Sequence, residues 1–131
     1  EEALIQAGLP LEQASVTLLG LGFLRDSGDV RNSPTLRVID LLEGRCRLTV
    51  HDPFAEEGYR VPLSRDLKEA LRGSDCAVFI TDHSLYSELD LEEMHDLMRT
   101  AIIVDGRNIF HAEECRRVGF LYRGIGKPHS D

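Results

Sequence analysis

Short apolar runs alternate along this chain with segments whose apolar residues recur at helical spacing. Val16, Leu18 and Leu19 form a run that ends at Gly20 and Gly22, predicting a strand over 15–19. Ser33 and Pro34 then supply an N-cap and a first helical position. Leu36, Val38, Ile39, Leu41 and Leu42 supply an apolar face, and Gly44 a stop. A second strand is expected over 47–51, closed by Asp52-Pro53. A minor edge strand is expected over 59–63, where Pro62 limits pairing. Ser64 is placed to cap a helix over 65–72 that Gly73 ends. The run 76–80 is apolar throughout, as in a strand buried on both faces. After a polar stretch come a helix over 90–98, a strand over 101–104, a short helix over 112–117 and a last strand over 120–125. At the start, Leu4, Ile5 and Leu9 suggest a helix over 1–9 that Gly8 and Pro10 terminate.

Strands alternating with helices predict an open parallel α/β sheet of five to six strands with helices on both faces, folded as a single domain. No internal repeat or linker divides the 131 residues. Hydrophobic residues make up 42% and charged residues 29%, the balance of a soluble globular chain, and no apolar run approaches a membrane span. The net charge of −8 argues against nucleic acid and anionic membranes as partners, though two or three local arginines would still suit a phosphate. Cys46, Cys76 and Cys115 are odd in number and lack metal or disulfide spacing. Cys76 reads as a buried thiol, and a reducing, cytoplasmic setting is expected.

Open α/β sheets bind ligands at the carboxyl ends of their strands, and the candidate chemistry collects in the segments that follow strands. The first is Gly20-Leu21-Gly22-Phe23-Leu24-Arg25. It starts like a dinucleotide fingerprint but carries Arg25 where the third glycine belongs. The helix also begins too late for its amides to sit under a pyrophosphate. Asp52 is placed for a ribose, yet Asp-Pro is also a common turn starter. Arg25 and Arg31 are forked donors for phosphate or carboxylate, with Asp26 and Asp29 near them; equally, Asp29 and Arg31 could pair or cap the helix. The run Val104-Asp105-Gly106-Arg107-Asn108 puts Arg107 on the same edge, either for a ligand or in a plain turn with Asn108 capping the next helix. His83, in Thr81-Asp82-His83, is either a general base or, more simply, a hydrogen-bonded loop residue. The remaining histidines show no metal spacing. Glu92-Glu93 and Glu113-Glu114 read as solvated helix faces.

Taken together, GLGFLRDSGDVRNSP, the HDP after the second strand, SDCAVFITDH, VDGRNIF and GFLYRGIG resemble, in order, the C-terminal domain of the UDP-glucose/GDP-mannose dehydrogenase family. The resemblance runs from about Ser15 to Gly126. It implies a Rossmann-like domain over 14–127, preceded by the remnant of a linker helix from a central domain (1–13) and followed by a mobile tail (128–131). In such enzymes an N-terminal domain binds NAD, and a central domain builds a homodimer. The 6-hydroxymethyl group of a UDP-sugar or GDP-sugar is oxidised to a carboxylate. The catalytic cysteine lies in a GxGGxCxPKD-like segment that this chain lacks, so the resemblance assigns no catalytic residue here and implies that the chain alone is inert. Arg107 matches the family arginine that reaches the nucleotide sugar, and Phe23 matches the aromatic of the first loop. A lysine usually follows that aromatic; here Leu24 does, with Arg25 one place later. Asp29, Arg31, Ser33 and Pro34 match a DxRxSP motif read as loop scaffold. The competing expectation is a non-catalytic Rossmann-like nucleotide-binding or interaction module whose diphosphate site has decayed at Leu24.

Overall fold

A computed structural model of the chain describes residues 8–21, 34–55 and 61–124. Its six strands are β1 (Ser15–Leu19), β2 (Arg47–His51), β3 (Leu63–Ser64), β4 (Cys76–Phe79), β5 (Ile102–Asp105) and β6 (Leu121–Gly124). Its helices are α1 (Pro34–Leu42), α2 (Leu67–Leu71), α3 (Ser84–Ser87), α4 (Leu91–Leu97) and α5 (Ala112–Val118), and a 3-10 turn at Leu11–Gln13 leads into β1. The strands form one sheet in the order β3-β2-β1-β4-β5-β6, every pairing parallel. The order reverses between β1 and β4, which in open α/β sheets marks the crevice where ligands lie.

Period-two alternation sends the strand residues to two cores. Val16 and Leu18 of β1, Val50 of β2, Cys76 of β4 and Ile102 of β5 pack with Leu36, Val38, Ile39 and Leu42 of α1. Leu19, Ala77, Phe79 and Ile103 face the other way, against Leu71 of α2, Tyr86 of α3, Met94 of α4 and Cys115 of α5. Full burial of a Val, Leu, Ile, Phe or Met side chain in these cores contributes roughly 1.5–3 kcal/mol. Thr17 is the polar exception in β1; it is buried with its hydroxyl 2.9 Å from both the Ala70 carbonyl and the Ser74 hydroxyl.

The expected parallel α/β architecture is the one observed, and β1 and β2 have the predicted bounds. Several local expectations are corrected. Leu41 is 63% exposed and not part of the α1 apolar face. Asp66, not Ser64, caps α2, accepting from the Glu69 amide at 3.2 Å, while Ser64 closes the short β3 beside β2. The stretch after β4, read from the sequence only as polar, contains α3. Asn108 does not cap the following helix: it adopts a left-handed φ of 60°, and α5 begins after His111. Among the described residues no helix is long and apolar enough to cross a membrane.

Candidate functional site

Because all six strands are parallel, the chain leaves β1, β2, β4 and β5 on one edge of the sheet. Gly20 makes the first exit possible. Its φ is +106°, and a β-carbon there would lie 2.4 Å from the Thr81 β-carbon, so the tips of β1 and β4 approach as closely as backbone allows. The Gly20 amide donates to the His51 carbonyl at 2.8 Å, and the Thr35 hydroxyl of α1 donates to the Gly20 carbonyl at 2.6 Å.

Two buried carboxylates organise the edge. Asp52, fully buried after β2, accepts from the amides of Leu21, Phe54 and Ala55 at 2.7–2.9 Å and lies 3.0 Å from Nε2 of the buried His83. One side chain thus ties together the exits of β1, β2 and β4. Asp105, fully buried at the end of β5, accepts from the amides of Arg107, Ile109 and Phe110 and from the Tyr122 hydroxyl. A buried carboxylate is costly unless its oxygens are satisfied, and in both cases donors from the loop satisfy them. Burial, then the charge of Asp105, pushes the Tyr122 phenol up, so it remains a protonated donor. Tyr86, likewise pushed up by burial and then by Asp52, lies 2.8 Å from Nδ1 of His51. Burial pulls the His51 pKa down, against the opposing pull of the Arg65 backbone and of Asp52.

The Asp105-centred turn delivers Arg107 to the rim. Its Nη2 lies 3.3 Å from Oδ1 of Asp82, with the two side chains 34% and 18% exposed. Between the turn and α3 lies a cleft of about 280 Å³, lined by Asp82, Ser84, Ser87, Arg107 and Asn108 among others. Of the site residues expected from sequence, Arg107 therefore stands at the carboxyl edge, beside a cleft. Phe23, Arg25, Asp29, Arg31 and Ser33 lie outside the described residues, as does Leu24. The Leu21 amide, the last described group of the first loop, stands on that same edge. His83 is a hydrogen-bonded, buried residue rather than an accessible base, and Asp52 serves a turn. Sequence reasoning did not single out Asp82, although its place after β4, one strand from β5, was the available signal. The role of Asp105 was missed as well. Among the described residues no cluster of three or more His, Cys, Asp or Glu is arranged to hold a metal ion.

Comparison with known proteins gives a consistent picture. The model of the UDP-glucose/GDP-mannose dehydrogenase family, UDP binding domain, matches residues 17–112. The chain is 33% identical over 128 residues to a UDP-glucose 6-dehydrogenase of Rhizobium meliloti, an alignment covering 93% of this chain and 29% of that protein. It is 32% identical over 127 residues to a UDP-N-acetyl-D-mannosamine dehydrogenase of Pyrococcus horikoshii, covering 96% of this chain and 28% of that one. Among solved structures, an NDP-N-acetyl-D-galactosaminuronic acid dehydrogenase from Methanosarcina mazei superposes with a TM-score of 0.91 at 34% identity, over 98% of this chain and 28% of that protein. The chain thus spans somewhat under a third of the length of these relatives.

Proposed function

The chain belongs to the UDP-glucose/GDP-mannose dehydrogenase family as its UDP-binding domain, and from that premise we propose that it holds the nucleotide sugar for an NAD-dependent 6-dehydrogenase. The substrate is a UDP-sugar or GDP-sugar. Arg107 donates to its anionic part, with Phe23 and Arg25 contributing from the first loop and Asp29, Arg31 and Ser33 shaping that loop. The working unit is residues 14–127. NAD binds elsewhere, in a separate N-terminal domain of the parent enzyme, and that enzyme is a cytoplasmic homodimer whose central domain precedes this one. By itself the chain is inert and binds nucleotide weakly.

The observation that carries the reading is Arg107 on the carboxyl edge, one strand from the crevice where the strand order reverses. A guanidinium there suits a phosphate group, which it can grip with two parallel N–H donors. The test is a calorimetric titration of the chain with UDP, GDP and NAD. UDP or GDP is expected to bind and NAD to give no heat of binding; a preference for NAD over both nucleotides would overturn the proposal.

A further inference from the structure

We propose that the cleft beside Arg107 is a subsite for the hydroxyls of a sugar ring, in which Asp82 accepts from a vicinal diol and Arg107 holds Asp82 in position. The inference rests on the nucleotide-sugar reading above and adds which part of the ligand enters the cleft.

The size of the cleft points to a single ring. Whole-ligand pockets usually span ~300–1,000 Å³. At about 280 Å³ the cleft suits one ring of a nucleotide sugar rather than the entire molecule. Its charge is balanced. Asp82 and Arg107 face each other at 3.3 Å and largely offset one another, so a diphosphate entering the cleft would meet a carboxylate as well as a guanidinium. Neutral hydroxyls meet both without repulsion. The donors and acceptors around the cleft also suit hydroxyls. The Ser87 hydroxyl donates its one proton to the Ser84 carbonyl at 2.8 Å, so towards a ligand its oxygen is an acceptor. An ionised Asp82 is also an acceptor and nothing else. A phosphate brings no protons to such groups, whereas each sugar hydroxyl brings one and can accept from Arg107 or the Asn108 amide in return. A carboxylate across a vicinal diol is the arrangement that dinucleotide folds use for ribose.

The diol could be that of the ribose or that of the hexose, and the experiment separates them. The chain and its Asp82→Asn variant are titrated with UDP, with 2′,3′-dideoxy-UDP and with UDP-glucose, following amide NMR shifts, and the unliganded spectra verify that the variant is folded. If the ribose enters the cleft, Asp82→Asn weakens UDP by about tenfold and leaves 2′,3′-dideoxy-UDP unchanged. If the hexose enters, Asp82→Asn removes the advantage of UDP-glucose over UDP. Ser87→Ala is expected to give a smaller loss with the same ligand dependence. Equal changes with all three ligands would mean that Asp82 acts through Arg107 alone and would overturn the subsite while leaving the nucleotide reading intact. No binding of any of the three by the unmodified chain would overturn the nucleotide reading, and the subsite with it.

Discussion

The Tyr122 hydroxyl lies 2.9 Å from Oδ2 of Asp105, so the edge strand β6 supports the turn that carries Arg107. Asp105 receives four donors, three loop amides and this phenol, two on each oxygen, and an amide in its place would point an NH2 group at two of them. Asp105→Asn is therefore expected to destabilise the fold by roughly 2–4 kcal/mol, since it leaves buried donors facing a donor. Tyr122→Phe removes the hydroxyl's bond to Asp105 and its longer contact with the Phe110 carbonyl, and is expected to cost about 1 kcal/mol. Denaturant unfolding of both variants checks the ranking; equal stability of Asp105→Asn and the unmodified chain would show that the carboxylate does not organise the turn.

Gly20 supplies a sharper steric prediction. A methyl group at this position meets the Thr81 β-carbon at 2.4 Å and requires a left-handed backbone at φ +106°. Gly20→Ala is expected to lower stability by about 3 kcal/mol or more, because strain and overlap add. By contrast Gly44, at φ +80°, has open space around it, and its alanine variant bears the backbone strain alone. A pair of melting curves that rank the two variants the other way would refute the close approach of β1 and β4.

Stability is expected to fall in two stages as the pH is lowered. Burial holds the folded His51 below its ordinary 6.5, so the fold favours the neutral ring. Its contribution is complete above about pH 6.5 and is lost as pH falls below that, because the unfolded chain then binds the extra proton. Asp75 follows at lower pH. Burial would raise its pKa, but hydrogen bonds from Arg99, the Ser15 amide and Thr100 outweigh that and hold it below the ordinary 3.8. Its contribution is present above about pH 4 and disappears as pH falls through the lowered value. Urea titrations across pH check this. His51→Asn is expected to flatten the first stage and leave the second; an unchanged slope near pH 6 would remove His51 from the account.

Cys76 offers a chemical check on the two-core arrangement. Its thiol is buried in β4, and burial pushes its pKa up to about 12. Cys46, at the end of the α1 turn, is half-buried, and its thiol is shifted up as well, with burial the main cause. Under native conditions a thiol reagent is expected to label Cys46 well ahead of Cys76 and Cys115, because reaction requires access and a thiolate. Prompt labelling of Cys76 would mean that β4 is not covered on the α1 face.

Much of this architecture was legible in the residues. β1 and β2 are bounded by Gly20 and by Asp52-Pro53, and turn chemistry of that kind is local. The start of α1 at Pro34 follows from the proline itself. What failed was what depends on tertiary context. Ser64 and Asp66 are both good caps, and the choice between them follows from β3 pairing with β2 through Ser64. Four-residue α3 is too short to show a helical period. Leu41 fits an apolar stripe by spacing, but among the described residues it stays largely exposed. In the site, Arg107 could be found because Gly106 and Asn108 mark a turn after a strand. The roles of Asp105 and Asp52 could not, since a buried carboxylate held by backbone amides has no sequence signature distinct from a solvated one. The Asp82–Arg107 pair exists because β4 and β5 are neighbours in the sheet, a fact of topology rather than of local pattern.

The central claim is that a positive group on the carboxyl edge grips the anionic part of a nucleotide sugar, and it is tested most directly by titrating the chain and its Arg107→Ala variant with UDP while following amide shifts. Shifts are expected to concentrate in residues 82–87 and 105–110, with affinity falling about tenfold or more in the variant, the loss of one charge-assisted contact. Equal UDP affinity in the two proteins, or shifts confined to the opposite edge near Asp75, would contradict it.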